Sequence, residues 1–375
     1  EDIKALTAWL NQDPIPQLTK GELTRKYECG FSNVIGSKYA VFVNSGSSAL
    51  LLSVYSLIIS GRLKNNKICI PALSWATDLA PIIQFNLTPL IIDCNLSDLS
   101  VDLLDLHRVF EREKPSALIL VSVLGLVPNM DQVMELCKQH DVILIEDVCE
   151  STGSTFNNRK LGSFGLLSCH STYYGHITTS IEGGFICTDD DDLYDMLLMI
   201  RSHGWSRELS EEKQIYLRKK YEVNEFDNFY TFYVPSFNVR STDLQAFIGL
   251  RQLNRLDDVI NKRFNNYKLY YDNLYGTHWN PPMYDIQGTI ISNLGFPVIS
   301  KKRDHIVKAL QKNQIEVRPL IAGSMGKQPF YTDRYDKLDL PNVREVNQWG
   351  MYVPNHTSLK KSDIKRIYDI ITSQF

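Results

Sequence analysis

The segment from Ser171 to Gly184, STYYGHITTSIEGG, concentrates hydroxyl groups, one imidazole and a terminal glycine pair in a short stretch. His176 lies near its middle. An imidazole can both accept and donate a proton near neutral pH, because its ordinary pKa is about 6.5. A single histidine in such a loop more often has a structural role. The segment therefore indicates a candidate acid–base group and leaves the structural alternative open.

Other candidate residues follow predicted strands. Gly46 and Ser47, in NSGSSA, precede a helix, where small residues let backbone N–H groups approach an anion; a plain tight turn is the alternative. Asp147 ends the apolar strand VILIED, where its carboxylate could hold a cationic ring nitrogen or a metal, or cap a turn. Trp75 follows KICIPAL and could stack on a planar ligand or pack in the core.

Alternating strands and helices must position these residues. Strands are predicted at 39–45, 67–73, 89–94, 117–124, 142–148 and 185–188. Helices are predicted at 47–59, 76–85, 103–114 and 130–140. Short apolar strands separated by such helices predict βαβ units and an α/β fold with a mostly parallel sheet. Ligands bind such a sheet at the carboxyl ends of its strands.

The pattern changes after Ser236. The sequence TDLQ at 242–245 is a capping box, and the apolar spacing after it predicts a long amphipathic helix that starts near Thr242. We expect a large domain at 1–240 and a smaller α+β domain at 241–375. Within the latter, 277–285 and 337–345 are predicted loops, and 304–314 and 361–374 are predicted helices.

Composition narrows the class of protein. The 375 residues are 43% hydrophobic with a net charge of −3, which excludes a disordered chain and gives no basic surface for nucleic acid. No apolar run is long enough to span a membrane, and EDIKALTAWL does not have the pattern of a signal peptide. Seven irregularly spaced cysteines indicate reduced thiols. We expect a cytoplasmic enzyme without a metal site.

Six motifs occur in a specific order: NSGSSAL, PALSWATD, LIEDVCESTGS, TTSIEGG, RSHGWSRE and SFNVRSTDLQAFIGL. Together they resemble the DegT/StrS group of nucleotide-sugar aminotransferases, which are pyridoxal-phosphate enzymes of fold type I. The resemblance implies a seven-stranded, mostly parallel sheet in the large domain.

The resemblance also implies roles for individual residues. Asp147 would pair with the protonated ring nitrogen of pyridoxal phosphate, and Trp75 would stack on the ring. The cofactor phosphate would be held by Gly46, Ser47 and Ser171 and, from the neighbouring subunit of a homodimer, by Asn238. Glu150 stands where the family usually has Gln near the ring hydroxyl. Weaker expectations place His203, Arg318 and His356 near substrate.

One departure from the family decides the expected reaction. His176 occupies the position of the lysine that binds the cofactor covalently, and no Lys occurs between Lys160 and Lys213. Imidazole cannot form the imine that an amine forms with the cofactor aldehyde. A histidine here resembles the sugar 3-dehydratases of the family. One kind of these needs an iron–sulfur cluster, but no cysteine follows Cys187 to hold it.

The resemblance to the cluster-free kind implies non-covalent pyridoxal or pyridoxamine phosphate, with L-glutamate as co-substrate and no iron–sulfur cluster. The substrate would be a nucleotide-linked 4-keto-6-deoxyhexose, expected to be GDP-linked. Removal of its C3 hydroxyl would serve dideoxysugar and O-antigen lipopolysaccharide biosynthesis. Two alternatives stay open: a sugar 4-aminotransferase that carries a Lys-to-His substitution at His176, and an inactive homologue that binds sugars.

Overall fold

A computed structural model describes residues 1–276 and 286–375. Its helices are α1 (Asp2–Leu10), α2 (Glu22–Ile35), α3 (Gly46–Ile59), α4 (Ala76–Gln84), α5 (Leu103–Glu113), α6 (Met130–His140), α7 (Asp191–Arg201), α8 (Glu211–Lys220), α9 (Asp243–Leu253), α10 (Leu256–Leu274), α11 (Arg303–Lys312), α12 (Pro329–Thr332), α13 (Pro341–Trp349) and α14 (Lys361–Thr372). Short 3₁₀ turns span Val123–Gly125, Asp227–Tyr230 and Met325–Lys327.

The strands are β1 (Tyr39–Val43), β2 (Lys67–Pro71), β3 (Thr88–Ile92), β4 (Ala117–Val121), β5 (Ile143–Asp147), β6 (Thr155–Phe156), β7 (Arg159–Lys160), β8 (Leu167–Ser171), β9 (Gly184–Thr188), β10 (Gly295–Ile299), β11 (Arg318–Pro319) and β12 (Gly350–Pro354). A seven-stranded sheet has the order β1-β9-β8-β5-β4-β2-β3. Strands β2 to β5 pair in parallel, whereas β9 is antiparallel to β1 and β8. The predicted α/β fold with a mostly parallel seven-stranded sheet is confirmed.

The chain forms two compact units. Unit 1 comprises Glu1–Lys64 and Leu166–Asn254, and unit 2 comprises Asn65–Gly165 and Arg255–Phe375. The predicted division between residues 240 and 241 does not coincide with these units, which are defined by internal contacts. The boundary between a large and a small domain at residues 240 and 241 therefore stays a prediction.

Unit 1 is built around an aromatic core. Tyr27 and Phe31 of α2 pack against Phe42 of β1 and Phe185 of β9, and all four side chains are fully buried. Beneath this core the buried guanidinium of Arg201 makes ion pairs with Glu28 and Glu208. The core fixes β1 and β9, and therefore the segments that follow β1 and precede β9.

Unit 2 contains the parallel strands β2 to β5 and a second sheet of order β10-β12-β11. One core cluster packs under α5 and α6, with Leu106, Phe110 and Val133 against Leu118 and Leu144 of the strands. A larger cluster joins residues of α10, α11, α13 and α14 to the second sheet. These cores fix the ends of β2, β4 and β5, where the predicted ligand site lies.

Helix starts follow local capping chemistry. The hydroxyl oxygen of Ser45 accepts a hydrogen bond from the Ser48 backbone N–H at 3.0 Å and begins α3. The Thr242 hydroxyl accepts from the Gln245 N–H at 3.3 Å, and the Gln245 side chain accepts from the Thr242 N–H at 2.9 Å. The predicted helix start near Thr242 is therefore confirmed as a capping box.

Two predictions on the C-terminal segment were wrong. The long helix after Thr242 is interrupted, because Arg255 leaves helical conformation (φ −115°, ψ 2°) between α9 and α10, and two aspartates in the first turn of α10 favour a new start there. The predicted loop 337–345 contains the first half of α13. Pro341 is the first residue of that helix, where a missing N–H costs nothing. The predicted loop 277–285 lies outside the described residues.

No disulfide joins the seven cysteines, which all lie in the described residues, and five of them are buried. Over residues 1–276 and 286–375, no helix is both long and apolar enough to cross a membrane.

Candidate active site

The carboxyl ends of the parallel strands in unit 2 carry the first group of candidate residues. Asp147 is the last residue of β5 and pairs in register with Val121, the last residue of β4. Its side chain is buried, and its Oδ1 accepts a hydrogen bond from the Cys149 N–H at 2.8 Å. A negatively charged group at this edge can bind a cationic atom of a ligand.

Trp75 lies just before α4 with its indole open to ligands. The side chain is 56% exposed, so the alternative that it packs in the core does not hold. Its backbone is fixed on both sides: the Trp75 N–H donates to Asp78 Oδ2 at 2.9 Å, and the Asp78 N–H donates to the Trp75 carbonyl at 3.1 Å. An indole that is exposed and held at its backbone is suited to stacking on a planar ring.

Two further carboxyl groups surround Asp147. Asp78 is fully buried, and burial, together with its contact with Asp147, raises its pKa well above the ordinary value. Burial also raises the pKa of Glu150 to about 8; the charge of Asp147 adds to this, while a 2.8 Å hydrogen bond from the Leu124 N–H opposes it. Acidic groups gathered in this way favour a positively charged ligand atom.

Glu146, the neighbour of Asp147, has a different role. Its carboxylate is buried and accepts three backbone N–H groups, from Gly162, Phe164 and Gly165, each at 2.7 Å. Burial raises its pKa, and these hydrogen bonds oppose the rise. Glu146 therefore anchors the chain before β8, and of the pair only Asp147 is available to a ligand.

Unit 1 carries the predicted phosphate-binding residues at the start of α3. Gly46 is the first residue of this helix, and Ser47 follows it. A Cβ atom on Gly184 would lie 2.5 Å from the Gly46 nitrogen, so the start of β9 runs directly against the helix. Ser171, the last residue of β8, pairs in register with Gly184. The structure thus brings Gly46 and Ser171 to the same place, where N–H and hydroxyl donors suit a phosphate.

The loop between β8 and β9 is pinned at its base. The hydroxyls of Thr172 and Ser180 are 2.6 Å apart, and the Ser180 N–H donates to the Thr172 carbonyl at 2.9 Å. A Cβ atom on Gly183 would lie within 2.5 Å of both hydroxyl oxygens. Both glycines of the EGG sequence are therefore required, because neighbouring atoms leave no room for a side chain. Gly183 lies against the base of the loop, and Gly184 lies against the start of α3.

His176 lies in this pinned loop and is half-buried. Its N–H donates to the Tyr173 carbonyl at 3.0 Å, and its ring meets the Tyr173 ring edge-on with centroids 5.8 Å apart. The next residue, Ile177, is buried and anchors the loop, whereas Tyr173 and Tyr174 are exposed. The imidazole is thus held on an anchored turn rather than buried as a core residue.

Asn238 and His203 lie on adjacent segments of unit 1. Asn238 forms a bridge with Ser202, and its exposed side chain accepts a hydrogen bond from Arg240 Nε at 3.1 Å. His203 is half-buried, and its N–H donates to the Phe237 carbonyl at 2.7 Å. An exposed amide at this position is available to a second molecule, as the predicted role of Asn238 requires.

The remaining substrate candidates lie in unit 2. Arg318 is exposed, makes an ion pair with Glu316 at 2.6 Å and lies opposite Tyr352 in the β11–β12 strand pair. Burial raises the pKa of Tyr352, and the charge of Glu150 raises it further. His356 is exposed, and its Nδ1 lies 2.7 Å from the Ser358 hydroxyl. No described contact brings His356 to Asp147.

Sequence reasoning missed Asp78, Tyr352 and the Thr172–Ser180 pair. The position of Asp78, three residues after Trp75, is typical of an acidic residue in the first turn of a helix, and this signal was available. The contact of Asp78 with Asp147 links distant parts of the chain and has no local signature. In the parts of the chain that the structure describes, no three His, Cys, Asp or Glu side chains form a metal-binding group.

The chain belongs to the DegT/DnrJ/EryC1/StrS aminotransferase family, whose sequence profile matches residues 1–372. It is 34% identical over 351 residues to the GDP-4-keto-6-deoxy-D-mannose 3-dehydratase of Escherichia coli O55:H7 (strain CB9615 / EPEC), covering 90% of this chain and 89% of that protein. Identity to the Yersinia pseudotuberculosis protein of the same name is 32% over 366 residues, covering 94% and 91%.

A solved structure, GDP-4-keto-6-deoxymannose-3-dehydratase with a trapped PLP-glutamate geminal diamine, matches this fold with a TM-score of 0.88 at 31% identity. The match covers 98% of this chain and 96% of that chain. The family resemblance predicted from the six motifs is confirmed.

Proposed function

We propose that the protein is a nucleotide-sugar 3-dehydratase that uses pyridoxal phosphate and pyridoxamine phosphate without a covalent bond to the chain. Its substrate is a GDP-linked 4-keto-6-deoxyhexose, and L-glutamate is the co-substrate. Relatives above 30% identity that bear the name 3-dehydratase support this reaction, and so does the solved relative that holds PLP and glutamate.

One observation carries the proposal: a histidine lies where the aminotransferases of the family have the cofactor-binding lysine. His176 is held on the pinned β8–β9 loop, and residues 161–212 contain no lysine. An imidazole can exchange protons but cannot form an imine with an aldehyde. This substitution removes covalent attachment and retains acid–base function.

Each unit, taken by itself, offers groups whose chemistry suits one part of the cofactor. The orphaned buried oxygen of Asp78 beside Asp147 suits a cationic ring nitrogen, Trp75 offers an open indole face, and the Gly46 and Ser171 region offers donors to a phosphate. Asp147 would hold the proton on the ring nitrogen, and Ser47 would add a hydroxyl to the phosphate site. When bound, the cofactor supplies an amine for the sugar ketone and an electron-accepting ring.

The proposed role of His176 is acid–base catalysis, in which one ring nitrogen of the imidazole accepts and donates a proton. The imidazole takes up a proton and returns it to the sugar C3 oxygen as that hydroxyl departs. A lysine at this position would favour proton delivery to sugar C4, which leads to an amino sugar. His176 is only half-buried, as a group that exchanges protons with a bound substrate requires.

The net reaction balances without iron or flavin. Glutamate is oxidised to 2-oxoglutarate with release of ammonia, and its two electrons reduce sugar C3 as the C–O bond breaks. Each deoxygenated sugar therefore requires one glutamate and yields one ammonia. A 4-aminotransferase would also form 2-oxoglutarate, but it would retain the nitrogen on the sugar.

A two-stage assay tests the proposal. The protein is first incubated with pyridoxal phosphate and glutamate, and 2-oxoglutarate is measured; a GDP-4-keto-6-deoxyhexose is then added and ammonia is measured. With both products measured over the second stage, we expect 2-oxoglutarate and ammonia in equal amounts. An aminotransferase that carries a Lys-to-His substitution would stall before it releases ammonia. An inactive homologue would form neither 2-oxoglutarate nor ammonia. Formation of 2-oxoglutarate without ammonia would contradict the proposal.

A further inference from the structure

Gln245, in the first turn of α9, has an amide group that contacts two different segments of unit 1. Its Oε1 accepts the Thr242 backbone N–H at 2.9 Å as part of the capping box. Its Nε2 donates to the Glu182 carbonyl at 2.7 Å. A backbone N–H can only donate and a carbonyl can only accept, so these two partners fix which way the amide points. Gln245 therefore joins the start of α9 to the segment that precedes β9.

The helix cap needs only an acceptor at residue 245. Glutamate and glutamine both complete a capping box, because either side chain offers an oxygen to the N-cap N–H. Only the glutamine amide can also donate to a carbonyl, since an ionised glutamate offers acceptors alone. The amide N–H of Gln245 is therefore not required by the cap, and its contact with Glu182 serves the loop between β8 and β9.

That loop has an unfavourable backbone conformation beside Glu182. Ile181 has a φ of +74°, in the left-handed region that a β-branched residue rarely adopts, and its side chain is exposed. Such a conformation persists only where the surrounding contacts hold it. The carbonyl of Glu182 accepts two hydrogen bonds, from the Ser180 hydroxyl at 2.9 Å within the loop and from Gln245 Nε2 outside it. Gln245 thus holds the strained turn from helix α9.

We propose that Gln245 is a positioning residue for His176, because its hydrogen bond to Glu182 fixes the base of the loop that carries the imidazole. The carbonyl of the next residue, Gly183, accepts the Thr172 N–H at 2.9 Å, so a displacement of Glu182 also disturbs the other side of the loop base. The proposal rests on the proposed acid–base role of His176 and deepens it.

Two variants separate the two functions of the amide. Gln245→Glu keeps an acceptor for the capping box and removes the donor to Glu182. Thr242→Ala weakens the cap and keeps the Gln245 amide, so it is the matched control for the stability of α9. The holoenzyme of each variant is assayed for ammonia release with glutamate and a GDP-linked 4-keto-6-deoxyhexose, and its melting temperature is measured.

We expect Gln245→Glu to lower kcat about 3–10-fold, as for one lost hydrogen bond, with KM within about twofold of the parent and little change in melting temperature. Thr242→Ala should melt at a lower temperature, as a lost N-cap does, while its kcat stays within about twofold of the parent. If Gln245 served helix stability alone, activity would follow the melting temperature. Parent-like kcat in Gln245→Glu, or an equal loss in Thr242→Ala, would overturn the proposal.

Amide hydrogen exchange of the holoenzyme tests the contact without any activity. Peptides that cover residues 172–183 should exchange faster in Gln245→Glu than in the parent, and at the parent's rate in Thr242→Ala. Parent-like exchange of this segment in Gln245→Glu would contradict the inference. If His176→Asn releases ammonia as fast as the parent, the proposed role of His176 fails, whereas the exchange rates still decide whether Gln245 holds the loop.

Discussion

A Cβ atom placed on Gly184 would lie 2.5 Å from the backbone nitrogen of Gly46, so the start of β9 and the start of α3 touch through two residues that lack side chains. The same hypothetical atom would also lie 2.5 Å from the Ser45 carbonyl oxygen. These neighbours are backbone atoms at a helix terminus, which cannot rotate away. The proposed phosphate site therefore depends on the absence of a methyl group at residue 184.

Gly184→Ala should displace the first turn of α3 and weaken cofactor binding by at least about tenfold, as a lost hydrogen bond to the phosphate would. Overpacking should also lower the free energy of unfolding by about 1–3 kcal/mol. Thermal unfolding with and without pyridoxal phosphate measures both effects. Gly175→Ala is the control for stability, because its Cβ would meet only the Tyr173 side chain, at 3.2 Å. Equal behaviour of the two variants would contradict the packing argument.

Glu150 should act as a neutral acid at pH 7, because burial raises its pKa to about 8. The protonated side chain then resembles the Gln that the family usually has at this position. Glu150→Gln should therefore bind pyridoxal phosphate within about twofold of the parent at pH 7. Above pH 8 the parent's affinity should change while that of the variant does not. A large loss in the variant at pH 7 would show that the ionised form is needed.

The same pKa shift sets the pH dependence of stability. A folded-state pKa above the unfolded value, which is about 4.3 for Glu, means that the folded state binds the proton more tightly. The contribution of Glu150 to stability is therefore full below about pH 4 and is lost as pH rises towards 8. Glu150→Gln lacks this loss, so its melting temperature relative to the parent should rise across this interval. A constant difference would contradict the shift.

His176 should leave the cofactor unattached. Borohydride reduction of the protein with bound pyridoxal phosphate, followed by mass analysis, should give an unmodified chain. His176→Lys should become labelled in the same experiment, because it restores an amine at this position. The Lys variant should also lose most of the deoxygenation and form some amino sugar. A Lys variant that deoxygenates as fast as the parent would show that His176 does not determine the reaction.

Asn238 is proposed to serve the cofactor phosphate of a partner subunit in a homodimer. Asn238→Ala should weaken cofactor retention about 10–100-fold without unfolding the protomer, because the side chain is exposed. Mixing inactive Asn238→Ala with inactive Asp147→Ala under subunit exchange should restore activity towards about a quarter of the parent, since half of the dimers then contain one intact site. No recovery, despite proven exchange, would mean that Asn238 serves its own chain.

The alternating strands and helices could be predicted because their apolar periods are regular. Strand β8 was missed: its sequence LSCHS looks polar, yet all five residues are buried. His170 in this strand is fully buried, and burial lowers its pKa to about 3. This burial results from tertiary packing and has no signal in the local sequence. Candidate site residues could be predicted where they belong to a family motif, as Trp75 and Asp147 do. Asp78 was not predicted, because its complete burial is decided by tertiary packing and not by a local pattern.

The identity of the sugar product tests the central claim most directly. The protein is incubated in deuterated water with pyridoxal phosphate, glutamate and a GDP-linked 4-keto-6-deoxyhexose, and the sugar is analysed by mass spectrometry and NMR. We predict a 4-keto-3,6-dideoxy sugar that has lost its C3 oxygen and carries solvent deuterium at C3. A 4-amino sugar that keeps its C3 hydroxyl would contradict the account and identify a 4-aminotransferase.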